Sequence, residues 1–135
     1  MTGQVASGTF DVNSLWVTEP PTADTPAQAI PHGGVFTFHM TFTGTGAHWY
    51  NCRSQGHHFQ VKFHVEGVGA EMEADYTPPP IQVNLNQTNY EVTYTVNPNT
   101  LPVGLYRCGC TVEDNDWHGT VGFRENLLLQ IYVAP

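Results

Sequence analysis

Basic residues are scarce in this chain. Only Arg53, Lys62, Arg107 and Arg124 stand against twelve acidic residues, which gives a net charge of -8 over 135 residues. Neutralising phosphates takes several clustered Lys or Arg, so nucleic acid and anionic membrane surfaces are excluded as partners. The acidity itself reads as a solubility feature. Charged residues of both signs make up only 12%, about half the usual share. The polar surface must therefore come from Thr, Asn, Gln, Ser and Gly. No run of about 18 apolar residues exists to span a bilayer. The opening MTGQVASGTF has neither a basic nor an apolar leader region, so no signal peptide is expected. Three cysteines, an odd number, fit a reducing, cytoplasmic compartment better than a disulfide framework. A Cys52 pairing with Cys108 or Cys110 would leave one thiol over.

Catalytic patterns are also missing. There is no Gly-x-Ser-x-Gly elbow, no glycine-rich phosphate loop before a helix, and no EF-hand spacing. No helical period persists over 11 residues, and there is no repeat or composition shift. One domain over residues 1–135 is expected.

What the chain does have is alternation. Val35 to Thr43 puts Phe36, Phe38, Met40 and Phe42 on one face and Thr37, His39 and Thr41 on the other. His57 to Val65 does the same, with Phe59, Val61, Phe63 and Val65 against His58, Gln60, Lys62 and His64. Thr9 to Val17 alternates imperfectly, which places a bulge near Asn13 and Ser14. Ile81 to Leu85, Asn89 to Val96, Leu105 to Val112 and a buried closing strand, Leu127 to Val133, complete the set. Glu19 to Gly34, with four prolines, reads as a loop laid over the surface or along a sheet edge. Gly44 to Gly56 and Gly67 to Pro80 read as turn-rich loops. About seven short strands with turn signals between them predict an all-β, two-sheet antiparallel sandwich.

Leu101 to Phe123 concentrates reactive residue types. By strand parity Tyr106, Cys108 and Cys110 point into the core, where a free cysteine is a small hydrophobe. The spacing Gly104-x-Tyr106-x-Cys108 resembles the tyrosine corner of immunoglobulin-like domains, in which the Tyr hydroxyl bonds back to upstream backbone. That resemblance implies a Greek-key sandwich; with Cys52 in a turn-rich stretch, it does not extend to the family's disulfide. The strand His57-His58-Phe59-x-Val61, followed later by Cys110 and His118, is similar to a cupredoxin, the blue-copper sandwich. That resemblance implies a copper site built from His57 or His58, Cys110 and His118.

Three further expectations concern the loops. Glu113, Asp114, Asn115 and Asp116, with Glu71, Glu73 and Asp75 elsewhere, supply oxygens of the kind calcium takes. His48, Trp49, Tyr50, Asp114, Asp116 and Trp117 are the expected contacts for a protein partner, or for further copies of the chain, since Trp and Tyr dominate contact surfaces. Cys52, near His48, Arg53 and His57, is the one thiol in a setting that could make it reactive. The three histidines His39, His58 and His64 fall on wet strand faces and would form an imidazole ladder if their strands paired. With no assembled catalytic set, the expected function is a non-enzymatic binding or structural module. A metal protein is the alternative.

Overall fold

The alternating segments become strands because one side of each can be buried and the other wetted. The computed structural model describes residues 8–19, 22–69, 72–98, 100–117 and 119–133. Among them, β1 (Gly8–Glu19), β2 (Thr22–Pro26), β4 (Phe36–Thr45) and β8 (Tyr90–Val96) form a four-stranded sheet in the order β2-β1-β4-β8. The second sheet runs β3-β10-β9-β5-β6, from β3 (Ala29–Pro31), β10 (Gly119–Tyr132), β9 (Gly104–Asp114), β5 (His58–Gly67) and β6 (Glu73–Tyr76). A short β7 (Ile81–Gln82) pairs with the start of β5. The fold is a two-sheet β-sandwich.

The core lies where the two inner faces meet. Phe36, Phe38, Met40 and Phe42 from β4 face Phe59, Val61, Phe63 and Val65 from β5, and all eight are buried. Phe38 and Phe63 stack across the sheets with ring centroids 5.4 Å apart. Burying a side chain of this size stabilises the fold by roughly 1.5–3 kcal/mol. Cys108, Cys110 and Val112 continue this inner face along β9. All three cysteines are free.

The bulge in β1 falls where the pattern breaks: the register against β4 shifts between Val12 and Ser14. The extra residue returns Leu15 and Val17 to the core face. The tyrosine corner is also present. Tyr106 donates its hydroxyl hydrogen to the Pro102 carbonyl at 2.6 Å.

Five expectations change. The sheets are not strictly antiparallel, because β3 runs parallel to β10. The proline-rich stretch supplies edge strands, β2 to one sheet and β3 to the other, anchored by the buried Ile30. Its sequence has no period because an edge strand needs few ladder bonds and tolerates proline. Residues 67–80 contain β6, and Gly44 to Gly56 contains a helix, α1 (Gly46–Ser54). That helix is too short to show a period and buries only Trp49 and Cys52. Gly44 makes room for it: a Cβ there would sit 2.7 Å from the Trp49 ring. The closing strand is covered on one face only, with Leu129 and Ile131 buried and Leu128 48% exposed.

The imidazole ladder does not form, since β4 and β5 belong to different sheets. His39 instead stacks on Trp16 and bonds Thr18 at 2.7 Å. Hydroxyl pairs cross the same outer face, Ser14 with Thr41 and Thr37 with Thr95. The small polar side chains thus supply the outer surface that charged residues usually would.

Tyr106→Phe removes the hydrogen bond to the Pro102 carbonyl. It is expected to lower stability by about 1 kcal/mol in urea unfolding, with an unchanged slope. Burial pushes the Cys108 thiol up to about 12 and the Cys110 thiol up to about 11, from an ordinary 9.0. The folded state therefore holds thiol protons that the unfolded chain releases above pH 9.0. The thiols' contribution to stability is expected to be constant below that value and to fall as pH rises towards 11. Chemical unfolding across that range measures it, with Cys110→Ala expected to shallow the fall.

Candidate functional site

One end of the sandwich gathers the C-terminal part of α1, the start of β5 and the turn after β9. Strand parity carries down β9 from Tyr106 through Cys108, Cys110 and Val112 to Asp114, so the carboxylate points inward, not into the loop. Asp114 is 3% exposed. Beside it lie Cys52, from the buried side of α1, and His57, at the entry to β5, both buried. Their ligand-capable atoms all lie within 4.8 Å of one another.

Asp114 accepts four hydrogen bonds. Oδ2 takes the His57 ring N–H at Nδ1 over 2.8 Å and the Cys52 thiol over 3.7 Å. Oδ1 takes the backbone N–H of Asp116 over 2.9 Å and that of Trp117 over 3.3 Å, closing an Asx turn. A buried carboxylate persists only with such partners. Around it, the His57 backbone N–H donates to the Cys52 carbonyl, and the Asn115 N–H to the His58 carbonyl. Asp116 Oδ2 accepts the His58 backbone N–H at 2.6 Å, and that bond holds the Asp116 carboxyl below its ordinary value.

Trp117 caps this arrangement. Its ring meets the His57 ring edge-on at 4.2 Å and the His48 ring at 5.0 Å. It is nevertheless 45% exposed. Beside it opens a cleft of about 430 Å³ lined by Gln55, His57, His58, Gln82, Asp116 and Trp117.

The cluster does not make a nucleophile. Cys52 and His57 both point at the same oxygen of Asp114, so the imidazole does not draw the thiol proton. Burial first, and the Asp114 charge second, push the Cys52 thiol up to about 12. The reactive-thiol expectation is overturned by that burial: His57 does come close to the sulfur, but the thiol and the imidazole both bond Asp114.

The expected copper ligands do not converge. Cys110 is on the inner face of β9 opposite Phe63, whereas His58 is on the outer face of β5 opposite Gln82. His57 is at the level of Asp114, four residues along β9 from Cys110, or about 13 Å at strand spacing. His118 lies outside the described residues. The calcium expectation fails for a related reason. Asp114 is turned inward with both oxygens on protein donors, one oxygen of Asp116 accepts the His58 N–H, and Glu113 is exposed on the opposite face of β9 from Asp114. In the second acidic group, Asp75 bonds His64 at 2.9 Å, and Glu71 lies outside the described residues.

Of the expected partner contacts, Tyr50, Asp116 and Trp117 are exposed and His48 is half-buried. Trp49 and Asp114 are buried. Trp49 plugs the core against Phe10, Phe42 and Phe59, because α1 turns it inward over Gly44. The sequence reading missed that Leu105, Leu128 and, further along the strands, Phe123 are exposed on the outer face of β9 and β10. Leu128 falls within the closing strand, Leu127 to Val133, expected to be buried.

No protein-family model matches the sequence, and no curated protein does. The chain resembles solved β-sandwich domains in fold. The C-terminal domain of Wzt aligns at a TM-score of 0.64 and 9% identity, over 97% of this chain and 78% of that one. A CARDB domain from Pyrococcus furiosus aligns at 0.51 and 10% identity, over 99% and 100%. The Pseudomonas fluorescens alkylpurine DNA glycosylase AlkC aligns at 0.53 and 12% identity, over 93% of this chain and 31% of that one. The sandwich therefore recurs as a domain in unlike proteins, and the likeness shows the fold alone.

Asp114→Ala strips the acceptor from two side chains and two backbone N–H groups in a buried setting. It is expected to destabilise the protein by at least about 3 kcal/mol in urea unfolding. Asp116→Ala, at the rim, is expected to lose far less in the same assay.

Proposed function

We propose that the protein is a non-enzymatic β-sandwich binding module that contacts a protein partner, or another copy of itself, through the α1 and Trp117 end. The observation that carries this reading is the state of Trp117. Its ring is 45% exposed, yet its backbone N–H is bonded to Asp114 and its ring is held between His57 and His48. An exposed aromatic already fixed in place loses little freedom on binding, which is how large anchors in contact surfaces gain affinity. Tyr50, 53% exposed on α1, adds a second aromatic, and Asp116 and His58 give a polar rim. The nucleophile-poor chemistry of the Cys52 cluster supports a module without a reaction of its own.

Comparing the native chain with a Tyr50→Ala, Trp117→Ala variant tests this reading. Light scattering at high concentration reads self-association, and affinity capture from the source cells with quantitative mass spectrometry reads a partner. Loss of oligomer, or at least about tenfold loss of one captured protein, is expected. A variant that behaves as the native chain in both assays contradicts the reading. Loss confined to a Phe123→Ser, Leu128→Ser variant would move the contact to the β9–β10 face.

A further inference from the structure

We propose that Cys52, His57 and Asp114 form a binding site for a single zinc-type divalent ion. The proposal does not rest on the contact surface above. It rests on the donor set, its geometry, its charge and its surroundings.

The set is one thiol, one imidazole and one carboxylate, brought together from α1, the start of β5 and the end of β9. Zinc takes sulfur, nitrogen and oxygen ligands in this combination, whereas calcium and magnesium demand oxygen alone. All three side chains are buried, and the three ligand atoms fall within 4.8 Å of one another. A tetrahedron with bonds of about 2.0 Å to N and O and about 2.3 Å to S spaces its ligands by roughly 3.3–3.5 Å. The observed separations from Asp114 Oδ2 are 2.8 Å to His57 Nδ1 and 3.7 Å to Cys52 Sγ. The first must open by about half an ångström, and the second is already near the required length. This set keeps His57 from the copper expectation but replaces Cys110, whose strand position cannot reach it, with Cys52.

The protons balance simply. The Cys52 thiol gives its proton to solvent and binds as thiolate. The His57 hydrogen moves from Nδ1 to Nε2, and Nδ1 takes the metal. One proton is released per ion, and thiolate and carboxylate together neutralise the dication, so no net charge is buried. The relocated hydrogen has a partner, because Gln55 Oε1 stands 3.4 Å from His57 Nε2. A metal-bound imidazole characteristically donates its other N–H to such an acceptor. His57 also borders the cleft beside Trp117, which supplies a route inward. Three protein ligands leave a fourth position for water or for a donor atom of a ligand.

The experiment uses the full chain, stripped with chelator and then dialysed against Zn²⁺ or Co²⁺. Elemental analysis is expected to find one zinc per chain, with a higher melting temperature and one proton released per ion. The cobalt form is expected to show thiolate-to-metal charge-transfer absorption. Cys52→Ser should lose that band, and Cys108→Ser and Cys110→Ser should keep it. Gln55→Ala, a change to an exposed side chain, should weaken zinc about tenfold without altering the fold. If Cys52→Ser fails to fold, the native stoichiometry, the native cobalt band and Gln55→Ala still decide the matter. No ion held above the stripped baseline overturns the proposal, as does a native cobalt form without the charge-transfer band. A band that survives Cys52→Ser, or one lost in Cys110→Ser, also overturns it. Unchanged zinc affinity in Gln55→Ala removes His57 Nδ1 from the ligand set and overturns it too.

Discussion

A carboxylate buried to 3% exposure must be fully satisfied or it unfolds its surroundings. Asp114 meets that demand with four donors drawn from α1, from the start of β5 and from its own turn. The carboxylate thereby fixes three segments that the sheets alone would leave loose. α1 has a poor claim to helicity, with no side-chain cap at its start and two buried residues. It is held by Trp49 in the core and by Cys52 at Asp114. The turn after β9 is held by the two backbone bonds to Oδ1, and Trp117 stands on that turn.

The rest of the fold makes this placement possible. The stacked Phe38 and Phe63 and the alternating faces of β4 and β5 set the spacing between the sheets. The register of β5 against β9 sets Phe59 opposite Asp114. One residue of slip would turn Asp114 to solvent and Glu113 inward. The same parity that packs Cys108 and Cys110 as small hydrophobes therefore delivers a polar group to the end of the core.

Much of the sandwich was legible. The faces of β4, β5 and β8 follow from period-two alternation, and the β1 bulge follows from its interruption at Asn13 and Ser14. The tyrosine corner followed from a resemblance carried by the five residues Gly104 to Cys108. The helix and edge strands were not legible, for physical reasons. α1 spans nine residues, below the length at which a 3.6 period can be counted. β2 and β3 owe their state to neighbouring strands and carry no pattern of their own. The site was half visible. Its residue types were all noticed, but Asp114 was read as part of an exposed acidic run. Extending the Tyr106–Cys110 parity by two more steps would have turned it inward. Cys52 and His57 lie 62 and 57 residues from Asp114, and no local spacing announces such a meeting.

The account centres on Asp114 as the group that organises this end of the molecule. Native-state hydrogen exchange of individual amides tests that most directly. The N–H groups of Asp116 and Trp117 lie in a turn outside the sheets, and among the described residues their acceptor is the Asp114 carboxylate. The account predicts that they exchange slowly, with protection approaching that of the β5–β9 ladder, and that Asp114→Ala releases both together. Exchange of these two amides at the rate of an open turn in the native protein would contradict it.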